Sequence, residues 1–171
     1  LLSNKRLILA MDNDDNRQIA LKNIKKITDR VDVSSKIAAV SKYLGIRTIE
    51  NNVILIYSRD QDEIELSFYK ALLDNNTVLA KHPAVEGGVI TGVEWTKAKI
   101  QVDKGSIAVA LKNGKFVELD YKSISDIQKD ERTINGEFRD IITVTHAIED
   151  TSYETYLASS KRKIGFIYSF L

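Results

Sequence analysis

The chain has 171 residues, 43% hydrophobic and 29% charged, a balance that suits one or two small globular domains and excludes a fibre or a long disordered tail. Its 25 Lys and Arg against 24 Asp and Glu leave no net field to draw the whole protein onto nucleic acid or an anionic membrane, although local basic patches are allowed. No cysteine is present, so there is no disulfide framework and no thiolate nucleophile. The chain also lacks a signal-peptide pattern and any apolar run of about eighteen residues, and a cytoplasmic location is expected.

In chain order, period-two alternation predicts strands over 5–11 and 17–22, joined by the polar turn "DNDDN" at Asp12–Asn16. Asp12, Asp14 and Asn16 have the spacing of the first ligands of a calcium loop. That reading fails at Arg17, where the loop needs Gly, and at Asn23, where it needs Glu. The segment "SSKIAAVSKYLG" predicts a helix from Ser34 as N-cap, with Ile37, Val40 and Leu44 on one face and Gly45 ending it. A strand over 46–57 with a break at Asn51-Asn52 follows, then a strand over 62–68 and a short helix near "FYKALLDN". "AKHPAVEGGVITG", with the only proline, Pro83, and Gly87, Gly88 and Gly92, reads as a linker over 81–92. Beyond it lie strands at "VEWTKAKIQV", "SIAVAL", "KFVELDY", "DIITVTHAI" and "SYETYLA", and a helix starting near Ser159.

The second half repeats the first. "IALKNIKKI" at Ile19–Ile27 returns as "LDYKSISDI" at Leu119–Ile127, with Lys22, Ile24 and Ile27 opposite Lys122, Ile124 and Ile127. The register extends backwards, Leu7, Leu9 and Met11 falling opposite Ile107, Val109 and Leu111. So long a period excludes a solenoid and implies two similar domains, 1–80 and 93–171, the first truncated at its N-terminus. Each is expected to be a small β-barrel closed by a helix. The distance from Ile27 to Val53 exceeds that from Ile127 to Ile141 by about twelve residues, which predicts a helical insertion near 34–44 in the first domain only. That insertion either binds a partner or covers an open barrel end.

Chemistry is sparse. His82 and His146 have no neighbours at metal-ligand spacing, no metal or cofactor site is expected, and nucleophile elbows, phosphate loops and dinucleotide fingerprints are absent. Glu63, Glu65, Asp126 and Asp130 read as solvated faces, so catalysis is not expected. On the last helix Leu157, Ile164, Ile167, Tyr168 and Leu171 share a face that would cap the barrel, and Phe166 and Phe170 form a second stripe opposite. That stripe either docks a further domain or reflects a helix break at Gly165.

The segments "LLSNKRLILA" and "IALKNIKKI" resemble strands of bacterial pleckstrin-homology-like and GRAM-like modules, which implies mainly β architecture with α, as two tandem small barrels each capped by a C-terminal helix. The longer string from "LLSNKRLILA" through "TIENNVILIYSR", continued by "ITGVEWTKAKI", resembles archaeal taxis proteins of the CheF family over nearly the whole chain. The resemblance implies a cytoplasmic adaptor binding the response regulator CheY and the switch proteins of the archaellum motor, with contacts to taxis proteins of the CheC and CheD kinds. It also implies a helix-turn-helix-like region beyond these residues. Lys36, Tyr43 and Arg47 in and after the insertion, with Phe166 and Phe170, are the candidate partner contacts. Tyr43 packing on the barrel and solvated Lys36 and Arg47 are the plain alternatives. A lipid-headgroup module is the competing class, weakened because the turn after "LILAM" is acidic and that after "IAVAL" contributes only Lys112 and Lys115.

Overall fold

The computed structural model describes residues 2–3, 5–9, 16–28 and 43–171. It divides into two compact units, Leu1–Leu72 and Leu73–Leu171. The described residues are mainly β with two helices, arranged in open sheets.

Unit 1 carries β1 (Arg6–Leu9), β2 (Arg17–Ala20), a 3₁₀ turn at Leu21–Asn23, β3 (Ile24–Thr28), β4 (Leu44–Thr48), β5 (Val53–Ile56) and helix α1 (Gln61–Leu73). β1 pairs with β2, and β3, β4 and β5 form a second antiparallel sheet in that order. Inward positions alternate with outward ones, so that Leu7, Ile19, Leu21, Ile24, Ile27, Leu44 and Ile46 are buried.

Unit 2 carries β6 (Thr77–Glu86), β7 (Val89–Ile90), β8 (Thr96–Asp103), β9 (Ser106–Leu111), β10 (Phe116–Asp120), β11 (Ile124–Ile134), β12 (Glu137–Ile148), β13 (Thr151–Ser159) and helix α2 (Lys161–Phe170). Its strands lie in the order β10-β9-β8-β6-β13-β12-β11, antiparallel throughout, with β7 hanging on the end of β6. Ile100, Val102, Ile107, Val109, Val117, Leu119, Ile142, Val144 and Leu157 are buried. β11 and β12 meet through Asn135-Gly136, both at positive φ (52° and 79°), as a tight hairpin turn between twisted strands requires.

The sequence repeat is a repeat of hydrogen-bond register. Leu7 pairs with Ile19 and Ile107 with Leu119. Leu21 N–H donates to the Lys5 carbonyl and Tyr121 N–H to that of Gly105. A bulge falls at Lys25 between the Ile24–Thr48 and Lys26–Arg47 pairs, and another at Ser125 between Ile124–His146 and Asp126–Thr145. Ile49 N–H then donates to the Asn23 carbonyl as Ala147 N–H does to that of Ser123. A bulge shifts every later side chain by one place, so sharing it keeps both cores in phase.

Several expectations need correction. The run 62–68 is helix instead of strand. Ile64, Phe68 and Leu72 recur every fourth residue, and Asp62 and Glu63 sit in the first turn, where they complement the helix dipole. Leu44 and Gly45, expected to end a helix, lie in β4, and Tyr43 directly precedes it; residues 34–42 are outside the described residues, as is most of the Asp12–Asn16 turn. The twelve-residue insertion also disappears. Thr28 pairs with Gly45 and Gln128 with Thr143, so the two connections have nearly equal lengths, and Val53 belongs to the next strand.

The segment 81–92 is a strand, a turn and a short strand instead of a linker. Gly87-Gly88, at φ 55° and 82°, forms the hairpin turn from β6 to β7. Pro83 sits where β6 changes neighbours, from β8 along Thr77–Ala80 to β7 along Val85–Glu86, and no ladder bond is lost to its missing N–H there.

Gly105 provides a test of the turn before β9. Its φ is +79°, and an added Cβ would lie 2.7 Å from Cε1 of Tyr121. Gly105→Ala should destabilise the protein by about 2–3 kcal/mol. Gly114→Ala, at φ +80° with open space around the Cβ, should cost about 1 kcal/mol. Urea denaturation of the two variants checks the difference.

Candidate protein-binding surface and a buried histidine pair

The described part of unit 1 exposes an apolar and basic surface on the β3-β4-β5 sheet. Ile24, Ile27, Leu44, Ile46 and Thr48 turn inward. Lys26, Arg47 and Val53 line up across the three strands on the opposite face, and Leu55 follows Val53 two residues on. Val53 is 41% exposed and Leu55 37%, with Tyr57 at 70% just past the strand and Ile49 at 57% in the turn before it. Lys26 is exposed, and Arg47 is half-buried with its Nε enclosed and, among the described residues, without a hydrogen-bond partner.

Unit 2 treats the equivalent face differently. The pairings Arg47–Val53 and Gly45–Leu55 correspond to Thr145–Glu154 and Thr143–Tyr156. Trp95 lies against the Tyr156 ring at 6.3 Å, the Arg132 guanidinium stands 5.7 Å from it, and Tyr156 packs on a cluster of Ile134, Ile141 and Ala158. The face that unit 2 covers with its own side chains thus presents Val53 and Leu55 to solvent in unit 1. A row of apolar side chains beside two cations is chemically suited to a protein surface carrying negative charge.

Of the sequence-expected contacts, the structure places Arg47 on this face and Tyr43, half-buried, directly before β4. Lys36 is outside the described residues. Phe166, expected to be poorly covered, is instead 1% exposed, and Phe170 is half-buried. The covered arc of α2 runs through Phe166, Ile167 and Ile164, turned away from Tyr168, which is 40% exposed with the Lys129 ammonium 3.8 Å from its ring centroid. Leu157, counted with that helix face, lies in β13. Val53, Leu55 and Tyr57 escape notice as a surface in the sequence because "VILIYS" reads as a strand without saying which side is covered.

Unit 2 also brings together His82 and His146, which the sequence leaves unrelated. Their rings stack at 5.9 Å, with the buried Thr155 hydroxyl between them, 2.7 Å from Nδ1 of His82 and 2.9 Å from Nε2 of His146. The hydroxyl has one proton to give. His146 Nδ1 is buried without a partner, so that atom is best left unprotonated. His146 Nε2–H then donates to Thr155, and Thr155 donates to His82 Nδ1. Burial lowers the His146 pKa to about 4, with the neighbouring His82 adding to the effect. Burial also lowers that of His82, against the pull of Glu86. Thr155 is 0% exposed, so a substrate has no route to its hydroxyl and the cluster is a piece of core. Both histidines continue inward-facing rows, His82 after Val78 and Ala80, His146 after Ile142 and Val144. Period two was the signal that could have joined them.

Among the described residues no group of three or more His, Cys, Asp or Glu could hold a metal ion, and no helix is long and apolar enough to cross a membrane. A cavity of about 560 Å³ lies beside α2, but its charges answer one another, with Lys161 3.7 Å from Glu131. A second, of about 370 Å³, is lined by Lys97, Lys99 and Lys112 around Ala98, Ala110 and Leu111.

Compared with known families, residues 1–171 match the one described as archaeal chemotaxis signal transduction system protein F. The chain belongs to that family. It is 35% identical over 173 residues to taxis protein CheF1 of Halobacterium salinarum, covering all of this chain and 59% of that protein. To taxis protein CheF2 of the same organism it is 27% identical over 183 residues, covering 98% of this chain and again 59% of the relative. The chain therefore spans about three-fifths of the length of the curated relatives it matches. No solved structure matches. Membership in the CheF family places the chain in archaeal chemotaxis signalling.

The histidine pair predicts the response of the protein to acid. A folded-state pKa depressed below the unfolded value means that the unfolded chain binds the proton first. The contribution of His146 is complete above about pH 6.5 and is lost as the pH falls towards 4. Stability should drop by about 3 kcal/mol over that window beyond the loss seen for His146→Phe, measured by urea titrations at each pH.

Proposed function

We propose that the protein is a non-catalytic adaptor of archaeal taxis signalling that binds the response regulator CheY and passes its state to the switch proteins of the archaellum motor, working in the cytoplasm and recruited to that motor. The observation that carries the reading is the exposed Val53, Leu55 and Tyr57 row beside Lys26 and Arg47, on a face that unit 2 covers for itself. A phosphorylated regulator gains negative charge, and Lys26 and Arg47 supply the complementary sign. Taxis proteins of the CheC and CheD kinds are further partners in this reading. Both units are pleckstrin-homology-like in it, a view supported by the seven antiparallel strands of unit 2 followed by a helix and by the shared register of unit 1.

Calorimetry with the full-length protein tests the adaptor role. CheY carrying a phosphoryl mimic should bind at least about tenfold more tightly than the unmodified form, a difference of about 1.4 kcal/mol. Leu55→Asp and Arg47→Glu should each weaken that binding by about tenfold or more. Equal affinity for the two forms removes the signalling role, and unchanged affinity in both variants removes the site.

A second reading rests on Lys97, Lys99 and Lys112 around one cavity, which suits a lipid headgroup. In that case the protein sediments with anionic vesicles, and Lys97→Glu with Lys99→Glu abolishes the effect.

A further inference from the structure

Unit 1 has an opening where unit 2 has two strands. In unit 2, β13 and β9 are joined through β6 and β8, giving the order β13-β6-β8-β9. The equivalents of β13 and β9 in unit 1 are β5 and β1, by the register each keeps with its other neighbour. Among the described residues β5 pairs only with β4, and none of them forms a strand along its other edge. The interior shows the same opening. Ile54 and Ile56 on β5 and Leu9 on β1 are only half-buried, whereas their counterparts Thr155, Leu157 and Val109 are each 0% exposed.

A short contact at Leu2 identifies what belongs there. Leu2 forms an antiparallel bridge with Leu7, and Ser3 N–H donates to the Arg6 carbonyl. In unit 2 the same positions are Val102, which pairs with Ile107, and Asp103, which pairs with Ser106, and they are the last pairs of β8 with β9. Leu2 and Ser3 therefore have the place of the end of a β8-like strand lying along β1. The curated relatives are longer than this chain, which covers 59% of each.

We propose that the residues preceding Leu1 in the full-length protein form two antiparallel strands that seat between β1 and β5 and complete unit 1 in the strand order of unit 2. The nearer strand runs back from Leu2 along β1, and the farther one pairs with the open edge of β5 and covers Ile54 and Ile56. The edge of β5 is thus an intramolecular docking site, and the outward row of Val53 and Leu55 stays free beside it.

Residue-resolved hydrogen exchange of the full-length protein tests this. The alternate amides of β5 that do not bond to β4 should exchange at least about a hundredfold more slowly than unpaired edge amides, matching the protection of β13, at concentrations where light scattering shows a monomer. Exchange at the unpaired rate overturns the proposal. Protection that appears only when the protein dimerises overturns it as well, because a second copy is then the occupant. A structure of the full-length protein with the preceding residues elsewhere overturns it by a separate route.

Discussion

The constraint on which the rest depends is the phase of the alternating side chains on strands that run antiparallel through a bulge. Each unit turns a hairpin, crosses a three-residue turn and enters the next strand pair one residue out of step, at Lys25 and at Ser125. Had the ladder continued without that step, Ile27 would turn away from the face it shares with Ile46, and Ile127 from the face it shares with Val144. The backbone bonds that flank the bulge, from Leu21 to Lys5 and from Ile49 to Asn23, satisfy groups that a bulge would otherwise leave unpaired, and unit 2 repeats them.

How much of the structure is legible in the sequence follows from how local its cause is. The strand pairs Leu7–Ile19 and Ile107–Leu119 are legible because a period of two declares itself within a few residues and because the second copy confirms the first. The helix at Gln61–Leu73 is half-legible. Ile64, Leu66 and Phe68 mimic a strand, and only the longer series through Leu72 shows the turn of a helix. The candidate surface is hardly legible at all. Arg47 stands out as a charge after a supposed insertion, whereas Val53 and Leu55 gain meaning only when the same face of unit 2 is seen under Trp95 and Arg132. Gly87-Gly88 misleads for a related reason, since two glycines suit a linker and a tight hairpin equally well.

Duplication followed by divergence explains why the two copies differ where they do. Several inward positions are held by the core and vary little in kind, as with Leu7 and Ile107 or Ile19 and Leu119. The outward positions are held by nothing internal, so one copy could become polar and self-covered with Thr145, Glu154 and Tyr156 while the other became apolar. The inward place of Thr48 is taken by His146 in unit 2, which costs that unit a ring kept neutral within its core.

The change of neighbours along β6 divides that strand into two functions. Thr77–Ala80 lies between β8 and β13, whereas Val85–Glu86 lies between β13 and β7, so that Val89–Ile90 is a flap held on the ladder by two residue pairs, with the Gly87 N–H bond to the Ser152 carbonyl at its turn. The Thr91 hydroxyl ties down the Pro83 and Ala84 carbonyls at its base. Val89 and Ile90 at its end are 69% and 80% exposed, so little of the interior depends on the flap. Foreign sequence grafted between Gly87 and Gly88 would therefore leave the ladder beneath it undisturbed, which makes this turn the natural anchorage for a fluorophore or affinity label.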